Sequence, residues 1–346
     1  MPAADLNCAV VHGGRLRQAA QHYAIPLDQW LDLSTGINPQ GWPVPHVPAE
    51  VWQRLPEEDD GLQQAMTAYY ASADGLAVPG SQVAIQCLPE LLFTDETPAS
   101  IRVALLSPAY SEHSKAWQSA GFDGVAVTAE NLEQCLLDDV NIRALVLIQP
   151  NNPTGVVFAH EDLQRWHRLL MARKGWLVVD EAFLDALPQA NSMIQPSMPP
   201  GLVVLRSLGK FFGLAGLRLG FVFAENNLLQ QLQARLGLWA VSHPARYLGR
   251  LALLDDQWQQ QARQRLKQDS QRLFELLQSV HLPPVGGTPL FQWVLMAQAK
   301  KLADRLAQQG ILVRSFEQPS SLRFGLPQTE AEWQRLEQAL QVLQEQ

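Results

Sequence analysis

Short apolar runs punctuate the middle of the chain: Val103–Leu106, Leu145–Ile148, Leu177–Val179, Val203–Leu205 and Leu219–Phe223. Each is apolar at both odd and even positions. A strand with one face in water alternates, whereas these runs fit strands covered on both faces, as in a mostly parallel sheet. Helical segments such as Glu161–Arg173 lie between them. The alternation predicts an α/β fold. Towards the N-terminus the pattern predicts a short helix at Leu16–Tyr23, and Gly61–Ala71 reads as another. Between them, Pro39, Pro43, Pro45, Pro48 and Pro56 predict an extended connection, because Pro disfavours helix and central strand.

From about Asn226 the composition becomes rich in Gln. Helix is expected over Ala262–Gln278, Lys300–Gln309 and Glu330–Gln344, with strands at Leu290–Met296, Ile311–Arg314 and Leu322–Phe324. The expected organisation is an N-terminal arm or small-domain segment over 1–50, a large domain over 51–235 and a smaller α+β domain over 236–346.

The 346 residues carry 26 Lys and Arg against 34 Asp and Glu, a net charge of −8. That balance argues against a nucleic-acid scaffold, which carries a basic face. The 47% of hydrophobic residues excludes whole-chain disorder. Cys8, Cys87 and Cys135 are too sparse for a disulfide framework or a zinc site, so buried free thiols and no metal are expected. The start lacks the basic-then-apolar order of a secretory signal, and no apolar run reaches the roughly 18 residues that span a bilayer. A soluble cytoplasmic protein with no membrane partner is expected.

Polar or glycine-containing residues follow several apolar runs. Ser107–Tyr110 follows the first, Gln149–Gly155 the second, Asp180-Glu181 the third and Arg206–Lys210 the fourth. Ligands of open α/β sheets bind beyond the carboxyl ends of strands, so these exits point to one shared site. Lys210 stands among glycines and apolar residues just past a buried run. A lysine so placed is a candidate for a lowered pKa and Schiff-base chemistry, the alternative being a solvated loop lysine.

This stretch resembles the active-site signature of the fold-type I pyridoxal-phosphate enzymes, the class I/II aminotransferase group. Lys210 is followed by Arg218 and Gly220 at the family's spacing, and Ser207 matches its phosphate-binding hydroxyl. Asn151–Gly155 resembles the family's Asn-Pro-Thr-Gly turn, which assigns Asn152 to the cofactor's phenolic oxygen. The bland reading is a plain β-turn. Asp180 matches the acid that faces the pyridine nitrogen, although Asp is equally suited to capping a helix. Gly80, Ser81 and Gln82 resemble the phosphate cup before an apolar helix. Tyr110 matches the aromatic residue that stacks on the cofactor ring. One position departs: Phe183 stands where many members carry a tyrosine that bonds the cofactor oxygen.

The opening, His12–Ala20 and then Leu31–Pro39, resembles the L-threonine-O-3-phosphate decarboxylases of cobalamin (vitamin B12) formation, close to the histidinol-phosphate aminotransferases. That resemblance implies a small phosphorylated amino-acid substrate and a homodimer. It assigns substrate contacts to His12, Gly13, Gly36 and Asn152, the α-carboxylate to Arg323 and the substrate phosphate to Arg314. An unremarkable arm histidine and surface ion pairs are the bland readings. The alternatives in function are a phosphoamino-acid aminotransferase and a non-catalytic module. Some regulators append an aminotransferase-like domain to a DNA-binding segment, but no basic segment of that kind is present.

Overall fold

A computed structural model of the chain describes residues 13–94, 96–187 and 192–344. The chain divides into two compact units, Gln40–Lys267 and a second that joins the residues up to Pro39 with Gln268–Gln346.

In chain order, the second unit contributes α1 (Leu16–Tyr23) and the two-residue strand β1 (Leu31–Asp32). The larger unit then supplies α2 (Ala49–Gln53), α3 (Leu62–Tyr70), β2 (Gly75–Val78), α4 (Ser81–Leu92), β3 (Arg102–Leu106), α5 (Ser111–Ser119) and β4 (Asp123–Val127). It continues through α6 (Leu132–Asp138), β5 (Ile142–Ile148), α7 (His160–Met171), β6 (Trp176–Asp180), β7 (Leu202–Ser207), β8 (Gly220–Phe223), α8 (Asn226–Leu236) and α9 (His243–Leu253). The boundary between the units falls within α10 (Asp256–Ser279).

The seven strands of the larger unit form one sheet in the order β2-β8-β7-β6-β5-β3-β4. β3 to β7 run parallel, and β8 pairs antiparallel with β7 and β2. The apolar runs are the central strands: Leu145, Leu177, Val203 and Val204 are fully buried, as their two-faced hydrophobicity requires. β2 and β4 are edges. Their apolar stretches are Leu76–Val78 and Val125–Val127, and neither is among the strands expected from the sequence. The larger unit begins at residue 40, against 51 expected from composition, because the Pro-rich connection packs on it. Trp42 N–H donates to the Phe212 carbonyl at 2.8 Å, and Trp42 Nε1 donates to Asp255 at 2.9 Å. At the other end it runs to 267 rather than 235, taking in α8, α9 and the first part of α10.

The smaller unit adds β9 (Gly286–Thr288), β10 (Phe291–Leu295), α11 (Ala299–Ala307), β11 (Ile311–Leu312), β12 (Arg314–Glu317), β13 (Ser320–Gly325) and α12 (Glu330–Gln344). Four of its strands form an antiparallel sheet in the order β12-β13-β10-β9. The expected arm is sewn into this unit from Leu31 onward. β1 pairs parallel with β11, and Gly325 N–H donates to the Leu33 carbonyl at 2.7 Å. Leu31 and Leu33 are buried accordingly.

Cys87 and Cys135 are free but half-buried rather than buried, and Cys8 lies outside the described residues. No helix of the described residues is long and apolar enough to cross a membrane.

Candidate active site

The carboxyl ends of the parallel strands all open towards one edge of the large sheet, and every cofactor residue expected from the sequence lies there or at the start of α4. β2 ends in Val78, and Gly80 caps α4 with φ of 79°. A Cβ at Gly80 would meet Arg218 Nη2 at 2.6 Å, so the Arg218 guanidinium lies directly over the N-terminus of α4. Gly220 brings the β8 backbone against the Ser81 nitrogen. A helix N-terminus with an arginine across it and Ser207 at the end of β7 is a cradle for an anion. Ser207 Oγ accepts from the Gly209 N–H at 3.2 Å, which shapes the turn carrying Lys210.

Lys210 sits half-buried in that turn. The flanking Leu208, Phe211 and Phe212 are fully buried and hold the turn down. Its Nζ lies 5.2 Å from the centroid of the Phe183 ring. The residue that departs from the family pattern therefore faces the lysine with an aromatic surface in place of a hydroxyl.

Asp180 closes β6 and is 4% exposed. His113 Nε2–H, from α5, donates to its Oδ2 at 2.9 Å, and the Ala182 N–H donates to Oδ1 at 3.1 Å. The capping role open to an aspartate is thus partly used, but the second oxygen is fixed by an imidazole from another element. Tyr110 donates its hydroxyl to Gln82 Oε1 at 3.1 Å, and the Gln82 amide donates to Glu112 at 3.1 Å. Burial, then the charges of Glu112 and Asp180, push the Tyr110 hydroxyl up to about 12, so it stays protonated. In the Asn151–Gly155 turn, buried Asn151 donates to the Pro108 carbonyl (2.9 Å) and to Thr154 Oγ1 (2.8 Å). Asn151 thereby anchors the turn, and Asn152 stands half-buried beside it.

Two features were not foreseen. His113 is one, since nothing local to α5 points at a partner 67 residues away. The other is Arg206, fully buried on β7, whose guanidinium bonds Asp185 Oδ1 and Glu181 Oε2 at 2.8 Å each and Ser192 Oγ at 2.9 Å. It also lies 5.0 Å from the Tyr70 ring. Burial pushes both carboxyls upward, and the arginine opposes that. The signal available was a charge at the end of the apolar run Val203–Leu205.

Of the expected substrate residues, Asn152 lies in the larger unit and Gly13, Gly36, Arg314 and Arg323 in the smaller one. Arg323, on β13, is 4% exposed and donates Nη2 to the Ser34 carbonyl. Burial, then the neighbouring Arg314 charge, lowers it to about 9, still well above neutrality. Arg314, on β12, lies directly opposite in the register and is also lowered by burial. Gly13 packs so closely on the Ser34 carbonyl that no Cβ fits there, and Gly36 is buried. His12 lies outside the described residues. Among the described residues, no cluster of His, Cys, Asp or Glu is arranged to hold a metal ion.

The start of α4 beneath Arg218, the buried Asp180 and the turn of Lys210 thus lie at the strand exits of one sheet. The chain belongs to the aminotransferase class I and II family, whose model matches residues 60–340. It is 49% identical over 329 residues to a threonine-phosphate decarboxylase of Pseudomonas aeruginosa, covering 95% of this chain and 96% of that protein. A Sinorhizobium protein of the same name is 38% identical, covering 97% and 98%. Histidinol-phosphate aminotransferase from Sinorhizobium meliloti, solved in complex with pyridoxal-5'-phosphate, superposes with a TM-score of 0.78 at 18% identity, covering 99% of each chain.

Replacing Arg206 by Met leaves two carboxylates buried without their cation. The expected loss is about 3–5 kcal/mol of folding stability, read from urea denaturation. A loss under about 1 kcal/mol contradicts the role given to this cluster.

Proposed function

We propose that this chain is a pyridoxal-phosphate-dependent decarboxylase that converts L-threonine O-3-phosphate into (R)-1-amino-2-propanol phosphate, a building block of adenosylcobalamin. The observation that carries this reading is the match to the Pseudomonas aeruginosa threonine-phosphate decarboxylase along nearly the whole of both chains.

The residues at the strand exits fit the cofactor. Gly80 leaves the start of α4 open beneath Arg218, where only a residue without a Cβ allows that approach. The Ser81 N–H, the Ser207 hydroxyl and Arg218 supply donors and charge for a phosphate. Asp180, held by His113, offers a fixed carboxylate for a ring nitrogen. Asn152 and Tyr110 serve the cofactor oxygen and the ring face. When bound, pyridoxal phosphate supplies an electron sink conjugated to the substrate amine.

The protein's own task is orientation. Of the three bonds at the substrate α-carbon, the one held perpendicular to the electron sink breaks most readily, so the groups that grip the substrate choose the reaction. Arg323 suits the carboxylate, with its planar fork fixed by Ser34 and the Phe291 ring. Arg314 serves the phosphate, with His12, Gly13 and Gly36 as the further substrate contacts that the resemblance assigns. Gripping both ends sets the carboxylate bond, rather than the hydrogen, for cleavage. Lys210 Nζ then returns a proton to the α-carbon as carbon dioxide leaves.

The chain also works as a cytoplasmic homodimer in this reading. In the larger unit, Trp52 and Leu55 are 66% and 60% exposed, and Leu238 and Trp239 are 81% and 57% exposed. Such exposed apolar side chains are available to a partner subunit. Sedimentation is expected to give a dimer, and a fully active monomer contradicts this.

Incubating the purified, cofactor-loaded protein with L-threonine O-3-phosphate is expected to release carbon dioxide with no keto acid present. Amino transfer to 2-oxoglutarate instead indicates a phosphoamino-acid aminotransferase. Lys210→Ala is expected to abolish turnover and the visible absorbance of lysine-bound cofactor; an active variant contradicts the scheme. Arg323→Ala is expected to raise KM about 100-fold while the cofactor stays bound, as expected for loss of two charge-assisted hydrogen bonds.

A further inference from the structure

A chain of directed hydrogen bonds runs from the first turn of α5 to the start of α4. Lys115 Nζ donates to Glu112 Oε1 at 2.8 Å, three residues back on the same helix. The other carboxylate oxygen, Oε2, accepts from the side-chain amide of Gln82 at 3.1 Å. Gln82 Oε1 in turn accepts from the Tyr110 hydroxyl at 3.1 Å.

The direction of each bond follows from the groups themselves. A carboxylate paired with a lysine only accepts, so the part of Gln82 that meets Oε2 must be its NH2 group. The amide oxygen is then turned to the opposite side, towards Tyr110. That oxygen also only accepts, so the tyrosine must donate. Reversing the amide would set its oxygen against the carboxylate, where two acceptors repel. Glu112 therefore decides which way the Tyr110 hydroxyl points. Burial, then the Glu112 charge, also keeps that hydroxyl protonated. The Tyr110 ring is half-buried and meets the ring of His113 edge-on, with centroids 6.4 Å apart. His113 is the residue that holds Asp180, so one turn of chain orients both the tyrosine and the acid.

We propose that Glu112 is a positioning residue for the cofactor site: by orienting the Gln82 amide it fixes the Tyr110 hydroxyl, and with it the angle at which the tyrosine ring meets the cofactor. This rests on the reading above that Tyr110 covers the cofactor ring, whereas the chain from Glu112 to Tyr110 stands without it.

The test compares full-length wild type, Glu112→Ala, Glu112→Gln, Tyr110→Phe and the double variant Glu112→Ala/Tyr110→Phe. Two quantities are read: the rate at which bound pyridoxal phosphate leaves, followed by its visible absorbance, and the carbon-13 resonance of tyrosine Cζ. The chain has five tyrosines, and the signal of Tyr110 is the one lost in Tyr110→Phe. Glu112→Ala is expected to shift that signal and to speed cofactor release about fivefold, as loss of one hydrogen bond predicts. Glu112→Gln keeps an acceptor oxygen and recovers part of both effects. In the Tyr110→Phe background, Glu112→Ala is expected to add nothing, because the bond it acts through is gone. Glu112 also lies in the first turn of α5, where an acid favours the helix. A role confined to helix stability would persist in the Tyr110→Phe background, so the cycle separates the two. An equal acceleration in both backgrounds, unchanged release in Glu112→Ala or an unmoved Tyr110 signal overturns the proposal. If the wild type takes up no cofactor, the cofactor reading fails, and the Tyr110 signal of Glu112→Ala then decides for or against Glu112.

Discussion

Arg206 lies fully buried between Glu181 and Asp185, which follow β6, while the arginine itself belongs to β7. The neighbours of this ion cluster are the residues on which the site depends. Glu181 follows Asp180, and Arg206 precedes Ser207 and the turn of Lys210. The buried charges tie the two exits to each other. A buried ion pair is a weak source of net stability, because desolvation offsets much of the attraction. Its contribution here is geometric: it sets the acid and the lysine at a defined separation before any ligand arrives.

Arg206 meets its carboxylates inside the fold, and in the smaller unit Arg314 and Arg323 face each other across β12 and β13. A net charge of −8 therefore says nothing about the substrate. The field that matters is local, set by a few cations whose burial makes an incoming anion favourable.

Much of this was legible in the sequence where the physics is local. The two-faced apolar runs became the central strands, because a strand covered on both sides has no polar parity. Leu16–Tyr23 and Glu330–Gln344 appear as helices with the expected bounds. Gly80, Ser207, Lys210 and Arg218 follow a spacing imposed by backbone turns, and the structure gathers them around the start of α4. What could not be read depends on contacts distant in sequence. His113 gains its meaning only when α5 packs beside the end of β6. β2 and β4 are edges that take their place by pairing with β8 and β3. The incorporation of Leu31–Leu33 into the smaller unit depends on pairing with β11, some 280 residues later.

The central claim is that the gripped substrate loses its carboxylate and keeps its α-hydrogen. The most direct measurement runs the reaction in heavy water with L-threonine O-3-phosphate labelled by carbon-13 in the carboxyl group. The account predicts that all the label leaves as carbon dioxide and that the amine product retains its original α-hydrogen and gains one deuterium beside it. Label retained in an organic acid, with the α-hydrogen lost to solvent, contradicts it.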